Sequence, residues 1–280
     1  MILIAGGRGD PSMVVLADRL NRRGIDYHDL LLGPQSNVQF HIDIQPNRFS
    51  INGKTISPTG FFGRHDVFLY QTDNPEQAQA AALNWYQAVR GWISAQPGIR
   101  MFNRHTHLRE NNKIENLLTA QELGLAIPPT QVMNDLSGLF GHENLIQKPV
   151  AGGEYTALIA DTPQGADYPR FVQPRLNRPE LRIYRIGDAI LGFWLNSPDL
   201  DYRRSQTAEL TVADVPPDLA DRLVRLCDRL NLDFAAADFM ADDTGALLFL
   251  ELNSQPMFAA FDRVAQGRLC DAIIDHLRAG

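Results

Sequence analysis

The sequence predicts an α/β (α+β) protein in which a small α/β domain precedes a larger, strand-rich part. Strands and helices alternate over residues 1–100, as in an α/β unit. Residues 168–196 are rich in strands, and residues 235–256 form two apolar arms joined by a tight turn. The 280 residues allow one large or two to three small domains. We expect domain regions at 1–100, 101–170 and 171–280.

Composition and charge exclude several functional classes. The apolar content of 44% and the charged content of 21% are ordinary for a soluble globular protein. A net charge of -7 argues against general binding to nucleic acid or to anionic membranes. No apolar run reaches the roughly 18 residues of a membrane span, and the start MILIAGG lacks the basic region of a signal peptide. We therefore expect a cytoplasmic protein without a nucleic-acid or membrane partner.

The first region begins with a strand–helix–strand pattern. Ile2–Ala5 is a buried strand, and Asp10-Pro11 supplies the N-cap and first residue of a helix that Gly24 ends. Ile25–Leu32 forms a second strand. The Gly6-Gly7-Arg8-Gly9 loop lacks the GxGxxG spacing of a dinucleotide-binding motif, so it is only a weak sign of one.

The rest of the first region holds a hairpin and a long helix. Val38–Ile44 alternates, and Arg48–Ile56 contains an Asn52-Gly53 turn. Residues 74–96 carry alanine and tryptophan on a helical period, which is typical of a core rather than a cofactor site. Arg64-His65-Asp66 follows an apolar strand, and the sequence does not define its role.

Two lysines mark the middle region. Residues 106–123 form a helix that carries Lys113. Strands at Thr130–Met133 and Asn144–Lys148 follow, with a short helix at 135–141 between them.

The segment after Lys148 is rich in glycine, ending in Gly152-Gly153. Because side chains must be absent where backbone N–H groups wrap a phosphate, this segment is a candidate phosphate-binding loop. A plain hairpin loop with a surface lysine is the alternative.

The last region contains an arginine within a strand. The predicted strands are Phe171–Gln173, Glu180–Ile186 and Ala189–Leu195, and Pro174–Pro179 reads as a rigid connector. Arg182 lies between two apolar residues, where a charge needs an anionic partner. A purely structural pair with a neighbouring acid is the alternative.

A predicted loop and two helices account for most of the remaining chain. Arg203 lies on the loop, where plain solvent exposure is the alternative to a functional role. Residues 217–231 and 262–279 form helices, and Cys227 in the first is expected in the core. Cys227 and Cys270 lack the spacing of a metal site.

The hairpin at residues 235–256 gathers oxygen donors. Glu251 and Asn253 are two residues apart, so their side chains share one face. If 241 pairs with 246, Asp238 falls opposite Phe249 and joins that face, unless a bulge intervenes. Two carboxylates and an amide oxygen suit Mg²⁺. A solvated hairpin face with incidental acids is the alternative.

In this order, the motifs resemble those of the ATP-grasp carboxylate–amine ligases, closest to the RimK-type branch. The resemblance covers residues 101–280, and the preceding region is similar to the small α/β domain of that superfamily. The matching positions are Asn103, Lys113, Leu123 to Thr130 (LGLAIPPT), Lys148 to Gly153, Val172-Gln173, Glu180-Leu181-Arg182, Tyr202-Arg203, Asp238, Glu251 and Asn253.

The resemblance implies an ATP-grasp fold that binds ATP and Mg²⁺. Two ions are expected, which Mn²⁺ could replace. The residues that would contact the nucleotide are Lys113, Lys148, Gly152 and Gly153 at the phosphates, Gln173, Arg175, Leu176 and Phe249 near the purine, and Glu180. Asp238, Glu251 and Asn253 would hold the metal. Arg203 would neutralise the attacking carboxylate, and Arg182 would steady the acylphosphate.

Three departures from the family pattern concern the purine and acceptor sites. Pro174 occupies a hinge position where many relatives have an acidic residue. Glu180 replaces the commoner aspartate. After Asn253, a Ser-Gln-Pro-Met-Phe run replaces a glycine-rich turn, which leaves the acceptor pocket undefined.

The resemblance implies an ATP-dependent ligase that activates a carboxylate as an acylphosphate and joins it to an amine, on a peptide or amino acid. Its partners would be ATP, a carboxylate and an amine, and it could form a homo-oligomer. The alternative is a catalytically inactive ATP-binding module with a regulatory or scaffolding role. Both lysines and the predicted metal set favour the enzyme.

Overall fold

The structure is a computed structural model in which the chain divides into two compact units. The first unit comprises Met1–His105 and Met257–Gly280, and the second comprises Thr106–Pro256. This division does not separate 101–170 from 171–280, so the three predicted regions stay a prediction. The structure describes residues 1–33, 36–65, 74–106, 112–139, 141–151, 155–161, 168–201 and 207–279.

The elements are named in chain order. The strands are β1 Ile2–Gly7, β2 Tyr27–Leu32, β3 Phe40–Asp43, β4 Arg48–Ile51, β5 Lys54–Thr55, β6 Gly60–Gly63, β7 Arg100–Met101, β8 Gln131–Met133, β9 Leu145–Pro149, β10 Ala157–Leu158, β11 Arg170–Pro174, β12 Asn177–Ile186, β13 Ala189–Asn196, β14 Glu209–Ala213, β15 Phe234–Ala241 and β16 Leu247–Asn253. The helices are α1 Pro11–Arg22, α2 Pro75–Ser94, α3 Lys113–Glu122, α4 Pro217–Arg229, α5 Ala259–Val264 and α6 Arg268–Arg278, with a 3₁₀ turn at Ser137–Leu139.

A parallel sheet of order β2-β1-β6-β7 forms the centre of the first unit. The predicted start of α1 is confirmed, because the Asp10 side chain accepts a hydrogen bond from the Ser12 amide at 2.8 Å. The predicted hairpin turn is also confirmed, with Asn52 and Gly53 both at positive φ between β4 and β5. The aromatic stripe of α2 packs in the core, where Trp85 contacts the Phe40 ring edge to face.

The prediction of one helix over 262–279 is wrong. The chain forms α5 and α6 instead, separated at Gln266 and Gly267, which have φ of 58° and 91°. Positive φ cannot continue a right-handed helix. The Asp271 side chain of α6 pairs with both Arg19 and Arg23 of α1. These ion pairs, together with packing of α6 on β6 and β7, hold the C-terminal helices in the first unit.

Two antiparallel sheets form the second unit. One has the order β10-β9-β11-β8, and the other has the order β14-β13-β12-β15-β16. One face of the five-stranded sheet packs against α3 and α4 in a core that includes Leu181, Ile183, Leu226 and Cys227. Alternate residues of β12 and β15 point to the opposite face of this sheet, which can therefore carry polar side chains.

Several predicted boundaries in the second unit were wrong. Asn112 caps α3, so the helix begins at Lys113 rather than at 106. The predicted short helix at 135–141 is only a 3₁₀ turn. Pro174–Pro179 is not a connector, because β11 runs to Pro174 and β12 begins at Asn177. The prolines are accommodated at a strand end and an irregular strand start.

The interior contains both cysteines, as expected for Cys227. Neither forms a disulfide, and both are buried. Burial raises the pKa of Cys227 to about 12, so its thiol is inert near neutral pH. Within the described parts of the chain, no helix combines enough length with enough apolar character to cross a membrane.

Candidate active site

The predicted register of the β15–β16 hairpin was wrong by one residue. Ala241 pairs with Leu247, and Phe239 pairs with Phe249. A bulge then places Leu250 out of register, so that Asp238 lies directly opposite Glu251. Directly opposed residues point to the same face. The two carboxylates are therefore neighbours, as the metal hypothesis requires, through a bulge that the sequence did not reveal.

A row of ion pairs crosses the neighbouring strands. Arg182 on β12 is in register with Asp238, and its Nε and Nη2 lie 2.6 and 2.7 Å from the two carboxylate oxygens. This is a bidentate, charge-assisted contact. Beyond Asp238, the Glu251 carboxylate lies 2.9 Å from the Nζ atom of Lys113. Because Lys113 is the first residue of α3, the start of this helix determines where its ammonium group lies.

Glu180 extends the row along β12. Its side chain is 10% exposed, and its oxygens lie 3.3 Å from Arg178 Nη1 and 3.7 Å from Arg182 Nη2. Burial raises the pKa of Glu180 to about 7, and the negative charge of Asp238 adds to this effect. The three carboxylates of Glu180, Asp238 and Glu251 are thus close enough to influence one another.

Lys148 also belongs to this group. It stands near the end of β9, opposite Phe171 of β11. Burial lowers its pKa, while the carboxylates of Glu251, Glu180 and Asp238 oppose that shift. We call Lys113, Lys148, Glu180, Arg182, Asp238 and Glu251 the charged cluster. Its three cations and three anions all lie in the second unit.

Lysine is rare in this chain, which makes its two positions in the charged cluster informative. Of 26 lysine and arginine residues, only Lys54, Lys113 and Lys148 are lysines. The chain therefore uses arginine for nearly all of its positive charge. A lysine provides a compact ammonium group that reaches a phosphate as a point charge, which arginine does not replace.

Asn253 shares the face of Glu251, as predicted, because it lies opposite Ala236, two residues from Asp238 on β15. Its side chain is exposed and accepts a hydrogen bond from the Gln255 amide at 2.9 Å. Phe249 is fully buried in the core, edge to face with Phe239, so in this structure it has no surface for a purine. The bulge explains this placement, since it turns Phe249 and Glu251 to opposite faces.

The predicted purine hinge follows β11. The Gln173 side chain is buried and donates a hydrogen bond to Thr130 Oγ1 at 2.9 Å. Arg175 is exposed, with its amide bonded to the Asn144 carbonyl, and Leu176 is partly buried. Their role toward a purine stays a prediction. The other predicted positions, Gly152, Gly153 and Arg203, lie outside the described residues.

The donor chemistry at the hairpin fits Mg²⁺. Asp238 and Glu251 offer hard carboxylate oxygens on paired strands, and a carboxylate has about four acceptor sites, more than Arg182 and Lys113 use. Across the described ranges of the chain, no three His, Cys, Asp or Glu side chains form a complete metal site. An ion here would therefore need water or a substrate phosphate as further ligands, which is usual for Mg²⁺.

The Arg64 motif belongs to the first unit. Arg64 forms a buried ion pair with Asp10, at 2.7 Å between Nε and Oδ2. His65 lies edge to face with Tyr86. Asp66 lies outside the described residues. This arrangement explains Arg64 as the partner of the acid that caps α1.

Arg178 is a charged neighbour of the cluster that the sequence analysis did not single out. Its position between two prolines favoured a loop over a strand. The signal that could have revealed it is the alternation of charge at Arg178, Glu180 and Arg182, which is typical of one polar face of a strand, although in the structure β12 is irregular at Arg178.

Solved structures, rather than sequence families, show which fold this chain has. No protein-family model and no curated relative matches the sequence. Among solved structures, the chain is similar to the ATP-grasp ligase PsnB complexed with a phosphomimetic variant of its minimal precursor, Mg and ADP, with a TM-score of 0.78, 22% identity and coverage of 99% of this chain and 98% of that one.

Two further solved structures are similar over almost their whole length. The macrocyclase MdnC bound with precursor peptide MdnA from Microcystis aeruginosa MRC gives a TM-score of 0.78 at 17% identity, with 100% of both chains covered. A Chryseobacterium gregarium RiPP-associated ATP-grasp ligase in complex with ADP and a leader and core peptide gives 0.75 at 16% identity, covering 99% of this chain and 96% of that chain. The mixed α/β chain described here has the ATP-grasp fold.

Proposed function

We propose that this protein is an ATP-dependent ligase that activates a carboxylate as an acylphosphate and joins it to an amine on a peptide. The observation that carries the proposal is the charged cluster. It combines two scarce lysines, two adjacent carboxylates and a bidentate arginine. A triphosphate and a carboxylate cannot approach each other until such groups offset their negative charge.

The similar structures support the peptide part of the proposal. PsnB, MdnC and the Chryseobacterium ligase are each described with a precursor or with leader and core peptides, and two of the three are described with ADP. Their fold extends over almost the whole of this chain. We retain the RimK-type branch as part of the proposal on the sequence motifs alone.

In the proposed reaction, Lys113 and Lys148 bind phosphate oxygens and orient the nucleotide. Mg²⁺, when bound at Asp238 and Glu251, would supply further positive charge to the phosphates. A substrate carboxylate oxygen attacks the γ-phosphorus, and the bond to the β-phosphate oxygen breaks to release ADP. The amine then attacks the acyl carbon, loses a proton, and displaces inorganic phosphate to form the amide.

We assign to Arg182 the stabilisation of the negative charge that develops in the transition state. Its fork holds Asp238 in the structure and presents a guanidinium beside the carboxylates. Negative charge develops on oxygen atoms during phosphoryl transfer and amide formation. These oxygens would interact with Arg182 more strongly in the transition state than in the bound substrates.

Lysine labelling tests the nucleotide site directly. With an acetylating N-hydroxysuccinimide ester, exposed Lys54 should react readily, and an ATP analogue with Mg²⁺ should protect Lys113 and Lys148. At a nucleotide concentration about ten times Kd, labelling of a residue covered by nucleotide falls about tenfold. Peptide mass spectrometry measures all three sites in one sample, and Lys54 is the internal control. Equal labelling with and without nucleotide at both cluster lysines would contradict the assignment.

Arg182→Lys separates a ligase from an inactive binder. Lysine keeps the charge but loses the planar fork, so we expect ADP formation to fall about tenfold or more with little change in ATP affinity. The assay uses a library of acidic peptides with hydroxylamine as the amine, and detects ADP and peptide hydroxamate. Arg225→Lys, an exposed change on α4, is the matched control.

The outcomes of this assay decide between the two functions. Hydroxamate that forms with wild-type protein and requires ATP supports carboxylate activation. ATP binding without any ADP or hydroxamate would favour the inactive ATP-binding module. A wild-type rate of ADP formation in Arg182→Lys would contradict a catalytic role for Arg182.

A further inference from the structure

The start of β12 is irregular beside the charged cluster. Between Asn177, opposite Ala241, and Leu181, opposite Phe239, the chain advances four residues on β12 and two on β15. The extra residues form a bulge that contains Arg178 and Glu180. Bulges near functional sites re-aim side chains, and here Glu180 lies beside Arg182 while Arg178 lies beside Glu180.

Arg178 joins Glu180 to a second part of the chain. Its Nη1 lies 3.3 Å from Glu180 Oε2, and its Nη2 donates to the carbonyl oxygens of Leu200 at 3.0 Å and Asp199 at 3.3 Å. One planar guanidinium can serve a carboxylate and two carbonyls together because its donors diverge in a fixed fork. The side chain is only 19% exposed, so these contacts are shielded from water.

The same segment is held from another side by Asp201. Its buried carboxylate accepts a hydrogen bond from the Thr156 amide at 3.1 Å. The Asp199 amide donates to Ser197 Oγ within the segment. A continuous set of contacts therefore runs from Thr156 through Asp201 and the neighbouring carbonyls to Arg178, and on through Glu180 to Arg182.

We propose that Arg178 is a positioning residue for the charged cluster. It holds Glu180 against Arg182 and fastens both to the segment Ser197–Asp201. Glu180 in turn restrains the guanidinium that grips Asp238, at 3.7 Å between Arg182 Nη2 and Glu180 Oε1. The consequence for catalysis rests on the proposed function, whereas the consequence for local order does not.

Amide hydrogen exchange tests the positioning role without any assay of activity. In Arg178→Met, exchange at residues 197–201 and at Thr156 should accelerate about tenfold, the loss of one charge-assisted hydrogen bond. Amides of β13 and β15 should keep their rates. Arg225→Met is the matched control and should change neither set. Unchanged exchange at residues 197–201 in Arg178→Met would overturn the proposal.

Kinetics provide the second arm of the test. Arg178→Met should lower hydroxamate and ADP formation about tenfold with unchanged ATP affinity, and Arg178→Lys should retain part of the rate because it keeps charge without the fork. The double variant Arg178→Met/Glu180→Gln should be no slower than the slower single variant, because both remove one linkage. Additive losses would contradict action through Glu180. If the wild-type protein formed neither ADP nor hydroxamate, the proposed function would be contradicted. The amide hydrogen exchange of Arg178→Met would still decide whether Arg178 positions the cluster.

Discussion

Glu251→Gln is expected to lower ADP formation roughly 10²-fold or more, the scale of losing an electrostatic group that contacts the reacting charges. Glutamine preserves the size of the side chain and its place opposite Asp238, but it removes the carboxylate that faces Lys113 at 2.9 Å. The change therefore removes both the proposed metal ligand and the charged partner of Lys113. The measurement is the initial rate of ADP release at saturating Mg²⁺ and ATP.

A matched control and a double variant sharpen this test. Glu122→Gln makes the same chemical change at an exposed position on α3 and should leave the rate unaltered. If Glu251 serves only to neutralise Lys113, then Lys113→Met/Glu251→Gln should recover activity relative to Glu251→Gln. We expect no recovery, because in the proposed function both residues act on the nucleotide. Near-normal ADP release by Glu251→Gln would refute the metal assignment.

Asp10→Asn is expected to reduce the stability of the first unit by about 3–5 kcal/mol, the cost of breaking a buried ion pair on one side. The side chains of Arg64 and Asp10 are 7% and 2% exposed. Asparagine caps helices as well as aspartate does, so the N-cap bond to Ser12 is retained and the ion pair is isolated. The guanidinium of Arg64 would then lose its charged partner Asp10.

Urea unfolding followed by tryptophan fluorescence measures this effect. Trp85 and Trp92 belong to the first unit and Trp194 to the second, so a Trp194→Phe background reports on the first unit alone. Asp18→Asn, at an exposed position on α1, is the control and should change stability by less than about 0.5 kcal/mol. A midpoint shift in Asp10→Asn no larger than in the control would show that the buried pair contributes nothing to stability.

Local patterns were sufficient to predict elements with strong periodicity or clear end signals. The N-cap at Asp10, the turn at Asn52-Gly53 and the apolar period of α2 each depend on residues close in sequence, so their physics is local. The failures are also instructive. The break between α5 and α6 is a left-handed stretch at Gln266 and Gly267 within an otherwise amphipathic pattern. The β12 start was missed because its prolines argue against a strand.

The sequence by itself determined the fold class and which residue types could bind phosphate and metal, including Lys113, Lys148, Arg182, Asp238 and Glu251. Only the tertiary structure decided how they meet. A one-residue change of register moves a side chain to the opposite face of a sheet, so the bulge at Leu250 decides that Glu251 faces Asp238 while Phe249 enters the core. That register depends on packing between residues far apart in the chain, which no local pattern contains.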